Sequence, residues 1–301
     1  MALRGDGQAA GMNATVNRVP GNESFVWIQT LINGVSGVTM RVKGPLFSAA
    51  SPFQKIEVYD TYAFGKVLCL AGCVVFTEKD EYVYNEMIVH PAMIMHPAPK
   101  RVCIIGGGDG GSLREVLRHK DVEAVRIVEI DAKVKETVET YFPEMASAFA
   151  DPRATLTVAD GADYLAAHTE LYDCIIVDSL DPGGPVESLE TSDFYRQVSQ
   201  RLTPGGVAIF QTGYPAIQSE LFRSMVSNAR SAFPFCAPYL CTIPSFPEGL
   251  CAFLLCTASD TRQKNIDPKR LQDISAQCQY YNTDIQTGAF LLPQDIKRLV
   301  G

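Results

Sequence analysis

The feature that most constrains this chain is IIGGGDGGSLREVLRH (104–119), where an apolar strand passes through five glycines into a helix. Glycines in such a turn let the backbone bend sharply and approach a ligand without obstruction by side chains. The context fits on both sides: RVCIIGG (101–107) reads as the strand and SLREVLRHK (112–120) as the helix. AVRIVEID (124–131) follows as a second strand ending in Glu129-Ile130-Asp131. A carboxylate at Glu129 suits the hydroxyls of a ribose. Asp109, inside the glycine run, would repel a pyrophosphate and attract an ammonium or sulfonium instead. No Lys-Ser/Thr pair closes the run as a P-loop requires.

The same rhythm continues downstream. AKVKETVETYF (132–142) reads as a helix, ATLTVAD (154–160) as a strand, GADYLAAHT as a short helix and YDCIIVD (172–178) as a strand. SDFYRQVSQRL (192–202), GGVAIFQT (205–212) and AIQSELFRSMVSNARSAF (216–233) repeat the alternation. AFLLCTA (252–258) reads as a late strand paired antiparallel with CAPYLCTIP (236–244). Strands and helices alternating at these lengths predict a mostly parallel sheet with helices on both faces. Upstream, SFVWIQTLI, GVTMRVKGPLFSA, QKIEVYDT and KVLCLAGCVVFT are short, β-rich and separated by turns, and Asp60–Gly65 reads as a hairpin turn. The expected organisation is a flexible lead-in over 1–23, a small antiparallel β-domain over 24–78, and a linking helix plus α/β domain over 79–301. The linking helix is KDEYVYNEMIVHPAMIMH (79–96), closed by His96-Pro97-Ala98-Pro99.

Composition removes whole classes of function. The 301 residues carry a net charge of −8, which disfavours a nucleic-acid groove or a polybasic membrane anchor. The N-terminus has no apolar signal core and no apolar run reaches transmembrane length, so a cytoplasmic protein is expected. The nine cysteines show no CxxC spacing and lie mostly in apolar strand-like runs, as buried reduced thiols would. The four histidines form no HExxH or other tight ligand cluster, so no metal site is expected.

The chemistry gathers at strand ends. Asp160 follows the third strand of the α/β domain, Asp178 the fourth, and Asp181-Pro182-Gly183-Gly184-Pro185 forms a loop suited to act as a lid. In a doubly wound sheet the carboxyl ends of the strands line one crevice. Asp109, Glu129, Asp160, Asp178 and Asp181 would then surround a mouth attractive to a cationic, nucleoside-containing ligand. Asp160 also has a structural explanation, as a helix N-cap.

At this point GGGDGGSLREVLRH, VEID, the DSxDP-type loop, EKDEYVYNEM and TIPSFPEG together resemble the polyamine aminopropyltransferases, most closely their spermidine-forming members. The resemblance runs from about Gln54 to Leu299 and is strengthened by GGVAIFQ (205–211) and YYNTDIQTGAFLLP (280–293). It implies a Rossmann-like domain of the class I methyltransferase type, preceded by the small antiparallel β-domain and assembled as a homodimer. It also implies transfer of an aminopropyl group from decarboxylated S-adenosylmethionine, a co-substrate, to putrescine, with release of spermidine and methylthioadenosine and no further cofactor. By motif position, Asp178 is catalytic with Tyr84. Gln54, Asn85, Asp109, Glu129, Asp160 and Ala162 bind the donor. Asp181, Gln211, Tyr84 and Phe246 face the acceptor.

The chain departs from the family pattern mainly on the acceptor side. Leu180 replaces the serine of DSSDP, Phe246 the tyrosine of TIPTYPSG, and Gln211-Thr212-Gly213 a Gln-Gly-Glu. Ala71, Val75 and Asn85 replace an aspartate, a glutamine and a glutamine or histidine. Trp27 is the counterpart left for the acceptor-site tryptophan. Three alternatives therefore stand beside the main reading: an aminopropyltransferase with another amine acceptor such as spermidine, an amine N-methyltransferase using S-adenosylmethionine, and a non-catalytic paralogue.

Overall fold

A computed structural model describes residues 15–18, 24–32, 34, 36–179, 187–258 and 266–301. They cluster into two units, one holding the residues up to Asp80 together with Pro244–Gly249, the other Glu81–Ile243 with Leu250–Gly301. The sequence reading kept 79–301 together. The segment 244–249 groups with the first unit, in which Asp80 accepts hydrogen bonds from the Ser245 amide at 2.9 Å and the Ser245 hydroxyl at 3.0 Å.

The first unit is a six-stranded antiparallel sheet whose strands neighbour one another in chain order. They are β1 (Thr15–Arg18), β2 (Ser24–Ile32), β3 (Ser36–Ala50), β4 (Lys55–Thr61), β5 (Lys66–Leu70) and β6 (Cys73–Thr77). β1 lies inside the stretch read as a flexible lead-in and pairs with β2, from Thr15 opposite Trp27 to Arg18 opposite Ser24. Ile28, Met40, Val42, Tyr59, Val67, Cys69 and Val74 form its buried core. The turn at Asp60–Gly65 closes as expected, with the Thr61 amide donating to the Gly65 carbonyl at 2.9 Å. KVLCLAGCVVFT is a second hairpin, and its turn holds Ala71 at φ 50°. A left-handed alanine there is strained where Asn, Asp or Gly would not be.

The second unit begins with α1 (Glu81–Met95), which is buried along most of its length. Pro91 lies inside it, and its missing amide leaves the Met87 carbonyl without a helical donor. The Tyr239 hydroxyl fills that gap, donating to the Met87 oxygen at 2.6 Å. The elements that follow are β7 (Arg101–Gly106), α2 (Gly111–Leu117), β8 (Ala124–Glu129), α3 (Ala132–Tyr141), α4 (Pro143–Ala146), β9 (Ala154–Val158), α5 (Gly161–Ala167) and β10 (Tyr172–Asp178). Next come α6 (Ser192–Gln200), β11 (Leu202–Gln211), α7 (Ser219–Ala232), β12 (Phe235–Thr242) and β13 (Leu250–Thr257). The chain closes with α8 (Pro268–Ser275), α9 (Thr283–Gly288) and α10 (Gln294–Val300).

The seven strands are ordered β12-β13-β11-β10-β7-β8-β9. β9, β8, β7, β10 and β11 are parallel, whereas β13 runs antiparallel to both β11 and β12. This is the Rossmann-like arrangement with an antiparallel edge. From β7 the chain builds outward through β8 and β9, then crosses back to β10 on the other side. The switch point is therefore the gap between the carboxyl ends of β7 and β10, where Gly106 sits opposite Asp178. Among the described residues, no helix is long and apolar enough to cross a membrane.

Candidate active site

The site is built at that switch point. Gly106 has φ 85°, and a Cβ on it would lie 1.9 Å from the Asp178 carbonyl oxygen. Only glycine lets the β7 turn pass so close to the end of β10. The Gly107 amide then donates to that carbonyl at 3.1 Å, which fixes the backbone carrying Asp178.

Both oxygens of the Asp178 carboxylate are occupied by hydroxyls. Tyr84, from the first turns of α1, donates to Oδ1 at 2.7 Å. Ser112, from the first turn of α2, donates to Oδ2. Burial pushes the Asp178 carboxyl up, and these two hydrogen bonds pull it partly back. Burial, reinforced by the Asp178 charge, pushes the Tyr84 phenol well above its ordinary value, so it stays protonated as a donor. The Tyr84 ring packs against Phe253 at 5.5 Å between centroids, and Phe253 is the register partner of Gln211 at the end of β11.

Asp109 lies in the glycine turn, where its Oδ1 accepts from the Gly111 amide at 2.7 Å. Burial, then the Asp178 charge, raise its carboxyl to about 7. Glu129, at the end of β8, accepts from the amides of Gly108 at 3.1 Å and Asp131 at 2.8 Å, yet burial still lifts it to about 7. A Cβ on Gly108 would fall 2.7 Å from the Glu129 side chain, so this glycine makes room for the carboxylate. Three acids are thus gathered in a desolvated corner, and each is held by neutral donors. Such an arrangement favours a cation.

The remaining expected residues fall in several places. Asp160 caps α5, its Oδ1 accepting from the Ala162 amide at 2.8 Å and the Asp163 amide at 3.0 Å, so the N-cap explanation holds. Asn85 donates to the Glu81 carbonyl at 3.0 Å and to Glu81 Oε2 at 2.8 Å, and Arg114 grips the same carboxylate at 2.8 Å with both terminal nitrogens. Gln54 and Phe246 belong to the first unit. The Ser51 hydroxyl oxygen accepts from the Gln54 amide at 3.1 Å, and the Phe246 carbonyl accepts from the Gly249 amide at 2.8 Å. Asp181 and the loop expected to act as a lid lie outside the described residues.

Ser112 is the site residue that the sequence reading missed. It looked like an ordinary first-turn helix residue, and nothing local signals that α2 aims its hydroxyl at Asp178. Further along α2, the donor atoms of His90, Glu115 and Cys278 lie within 4.8 Å of one another, as metal ligands would. The guanidinium nitrogens of Arg114 and Arg118 already face Glu115 at 2.7 and 3.0 Å, and burial pushes the Cys278 thiol up to about 12. The cluster reads as a buried ion-pair network, because a metal cation there would meet two arginines.

Comparison with known proteins agrees with this geometry. A family model for the spermine/spermidine synthase domain matches residues 81–267, and one for the spermidine synthase tetramerisation domain matches residues 26–78. The polyamine aminopropyltransferase of Thermoanaerobacter sp. (strain X514) is 40% identical over 263 residues, covering 86% of this chain and 92% of the relative. Spermidine synthase 1 of Pisum sativum is 39% identical over 270 residues, covering 87% and 81% respectively. A solved structure of a spermidine synthase in complex with the transition-state analogue AdoDATO superposes with a TM-score of 0.89 at 32% identity, over 95% of this chain and 98% of that one.

Proposed function

The chain belongs to the spermine/spermidine synthase family of polyamine aminopropyltransferases, and on that premise we propose that it transfers the aminopropyl group of decarboxylated S-adenosylmethionine to putrescine. The products are spermidine and methylthioadenosine. The observation that carries the proposal is the Asp178 carboxylate at the switch point, aligned by Tyr84 and Ser112 and flanked by Asp109 and Glu129.

The chemistry asks little else of the protein. An alkylammonium has no lone pair, and its ordinary pKa is roughly 10, so the attacking nitrogen must lose a proton before it can react. Asp178 orients the amine and accepts or relays that proton, while Tyr84 and Ser112 keep the carboxylate pointed at it. The nitrogen lone pair attacks the methylene carbon bound to sulfur, the carbon–sulfur bond breaks, and its electrons leave with a neutral thioether. In this reading Asp109 holds the donor's aminopropyl ammonium and Glu129 its ribose hydroxyls. The Asp160–Ala162 turn addresses adenine, and Gln54 and Asn85 complete the donor set. Asp181, Gln211 and Phe246 are assigned to the acceptor by motif position, with Tyr84 shared between proton and acceptor. The reading includes a cytoplasmic homodimer.

Product analysis tests the proposal. With decarboxylated S-adenosylmethionine and a panel of putrescine, cadaverine and spermidine, the expected result is methylthioadenosine and putrescine lengthened by three carbons. S-adenosylhomocysteine formed from S-adenosylmethionine, or no product at all, would overturn it. Preferential consumption of spermidine would move the acceptor assignment alone.

A further inference from the structure

The two outermost strands at one edge of the seven-stranded sheet carry four cysteines in two directly opposed pairs. Across β12 and β13, Cys236 faces Cys256 and Cys241 faces Cys251. Antiparallel ladders alternate between residue pairs that exchange backbone hydrogen bonds and pairs that do not. The second kind brings its Cα atoms closer, to roughly 4.5 Å rather than 5.5 Å.

The backbone identifies which pair is which. The Ala252 carbonyl accepts from the Thr212 amide and the Ala252 amide donates to the Gly213 carbonyl, both at 3.0 Å. Even-numbered positions of β13 therefore turn their backbone polar groups toward β11 and away from β12. On β12, the Leu240 amide donates to the Ala289 carbonyl at 3.1 Å, so even-numbered positions there face away from β13. Pro238, with no amide to give, occupies another of those positions. Cys236 and Cys256 are thus a close, non-hydrogen-bonded pair, whereas Cys241 and Cys251 are a hydrogen-bonded pair on the opposite face. The Cys236 and Cys256 sulfurs accordingly approach to 3.5 Å.

The two thiols also differ in environment. Cys256 is fully buried in the core, and burial pushes its thiol well up. Cys236 is half-buried on the edge strand, where the Cys256 hydrogen bond and nearby Arg230 hold its thiol below the ordinary range. That is the division between an attacking thiolate and a resolving thiol.

We propose that Cys236 and Cys256 are a redox-active pair that a peroxide closes into a cross-strand disulfide. The Cys236 thiolate attacks one peroxide oxygen and the O–O bond breaks, giving a sulfenic acid at Cys236 and an alkoxide or hydroxide that takes up the proton the thiol released and leaves as alcohol or water. The Cys256 sulfur then displaces hydroxide from the Cys236 sulfur, and that hydroxide leaves as water with the Cys256 proton. The two sulfurs together lose two electrons, the peroxide gains them, and a dithiol reductant reverses the change. Directly opposed strand positions lie within the Cα separation a disulfide needs, so closure asks for side-chain rotation rather than a shift in register.

Peptide mapping tests this. The segment 231–262 has no internal lysine or arginine apart from its last residue, so trypsin leaves all four cysteines on one peptide, and cleavage after Glu248 separates the two strands. The reduced full-length protein is treated with hydrogen peroxide, alkylated and digested with both specificities. The expected product is a disulfide-linked peptide pair in the wild type and in C241S, absent in C236S, with fragmentation locating the bond at Cys236 and Cys256. In C256S the reaction should stop at a Cys236 sulfenic acid that dimedone traps. The oxidised wild type should melt roughly 5 °C above the reduced form, as a short covalent loop predicts. Linkage surviving in C236S, fragmentation at Cys241–Cys251, or a wild type whose Cys236 stays unreacted or proceeds to sulfinic acid without linkage would overturn the proposal. Fragmentation of the wild-type product decides the matter even if a variant fails to fold.

Discussion

Helix α2 meets buried acid at both of its ends, and the two ends treat it in opposite ways. Toward its carboxyl end, Glu115 is fully buried, and burial pushes its carboxyl up. His90 at 3.1 Å, Arg114 at 2.7 Å and Arg118 at 3.0 Å outweigh that and hold it below the ordinary carboxylate range. Toward its amino end, Asp109, Glu129 and Asp178 are all pushed up, and their partners are hydroxyls and backbone amides. Among the described residues, no lysine, arginine or histidine is ion-paired with any of these three. Uncompensated buried charge costs several kcal/mol. The first cluster is complete as folded, while the second, in the function proposed above, is completed by a cation that arrives with the substrates. Burial of an acid is therefore not what marks this site; the missing counter-charge is.

The largest effect should come from breaking the complete cluster. Glu115→Ala removes the carboxylate that Arg114, Arg118 and His90 share, leaving Arg114 its pair with Glu81, and should cost about 3 kcal/mol of unfolding free energy by urea titration. The folded fraction should keep its turnover number, and a loss below about 1 kcal/mol would make Glu115 no structural counterpart at all. Next, Asp178→Asn should leave donor binding largely intact but lower kcat by at least ~10²-fold. Turnover near that of the wild type would remove Asp178 from the mechanism. Asp109→Asn should raise the donor's KM by roughly ten-fold or more, since a hydrogen bond to a charged group is worth about 1.5–3 kcal/mol. A change confined to the acceptor's KM would instead put Asp109 on the wrong side of the reaction. Ser112→Ala should slow turnover about five- to ten-fold and move the acid limb of the kcat profile to higher pH, with Ser112→Thr restoring both.

A separate expected effect is a pH dependence of stability. Asp109 and Glu129 titrate at about 7 when folded, against roughly 4 when unfolded. Below both values each group is protonated in either state, and the folded form gains its full advantage from holding the neutral acids. That advantage is lost as pH rises through about 7, so the unliganded protein should melt at a lower temperature at pH 8 than at pH 5. Donor binding has the opposite sign, because it needs the ionised acids, and should weaken below about pH 7 with protons released on binding. Replacing both residues by their amides should flatten the melting trend; an unchanged slope would assign it elsewhere.

Much of the α/β unit was legible because its signals are local. Apolar strands ending in glycine or aspartate and helices at regular intervals define a parallel sheet before any contact is known, and Asp178 stands out as an acid that ends a buried strand. What escaped the sequence depends on register and on distant partners. Ser112 gained its role only when α2 docked beside β10. The hydrogen bond from Asn85 to Glu81 one turn earlier was likewise not visible in the sequence. The nine cysteines looked alike as a list, and the ladder between β12 and β13 singled out one pair. α8, α9 and α10 are short, and the caps Asp267 for α8 and Asn282 for α9 are local signs of the first two.

Pro91 bears on how the molecule is made. The Met87 carbonyl receives its donor from Tyr239, which lies 152 residues further along the chain. During synthesis, α1 can offer that carbonyl only to water until the edge strand has left the ribosome. The helix that positions Tyr84 against Asp178 is thus among the first to be translated and among the last to be finished. Nascent chains released before β12 should lack a settled α1, however complete the first unit has become.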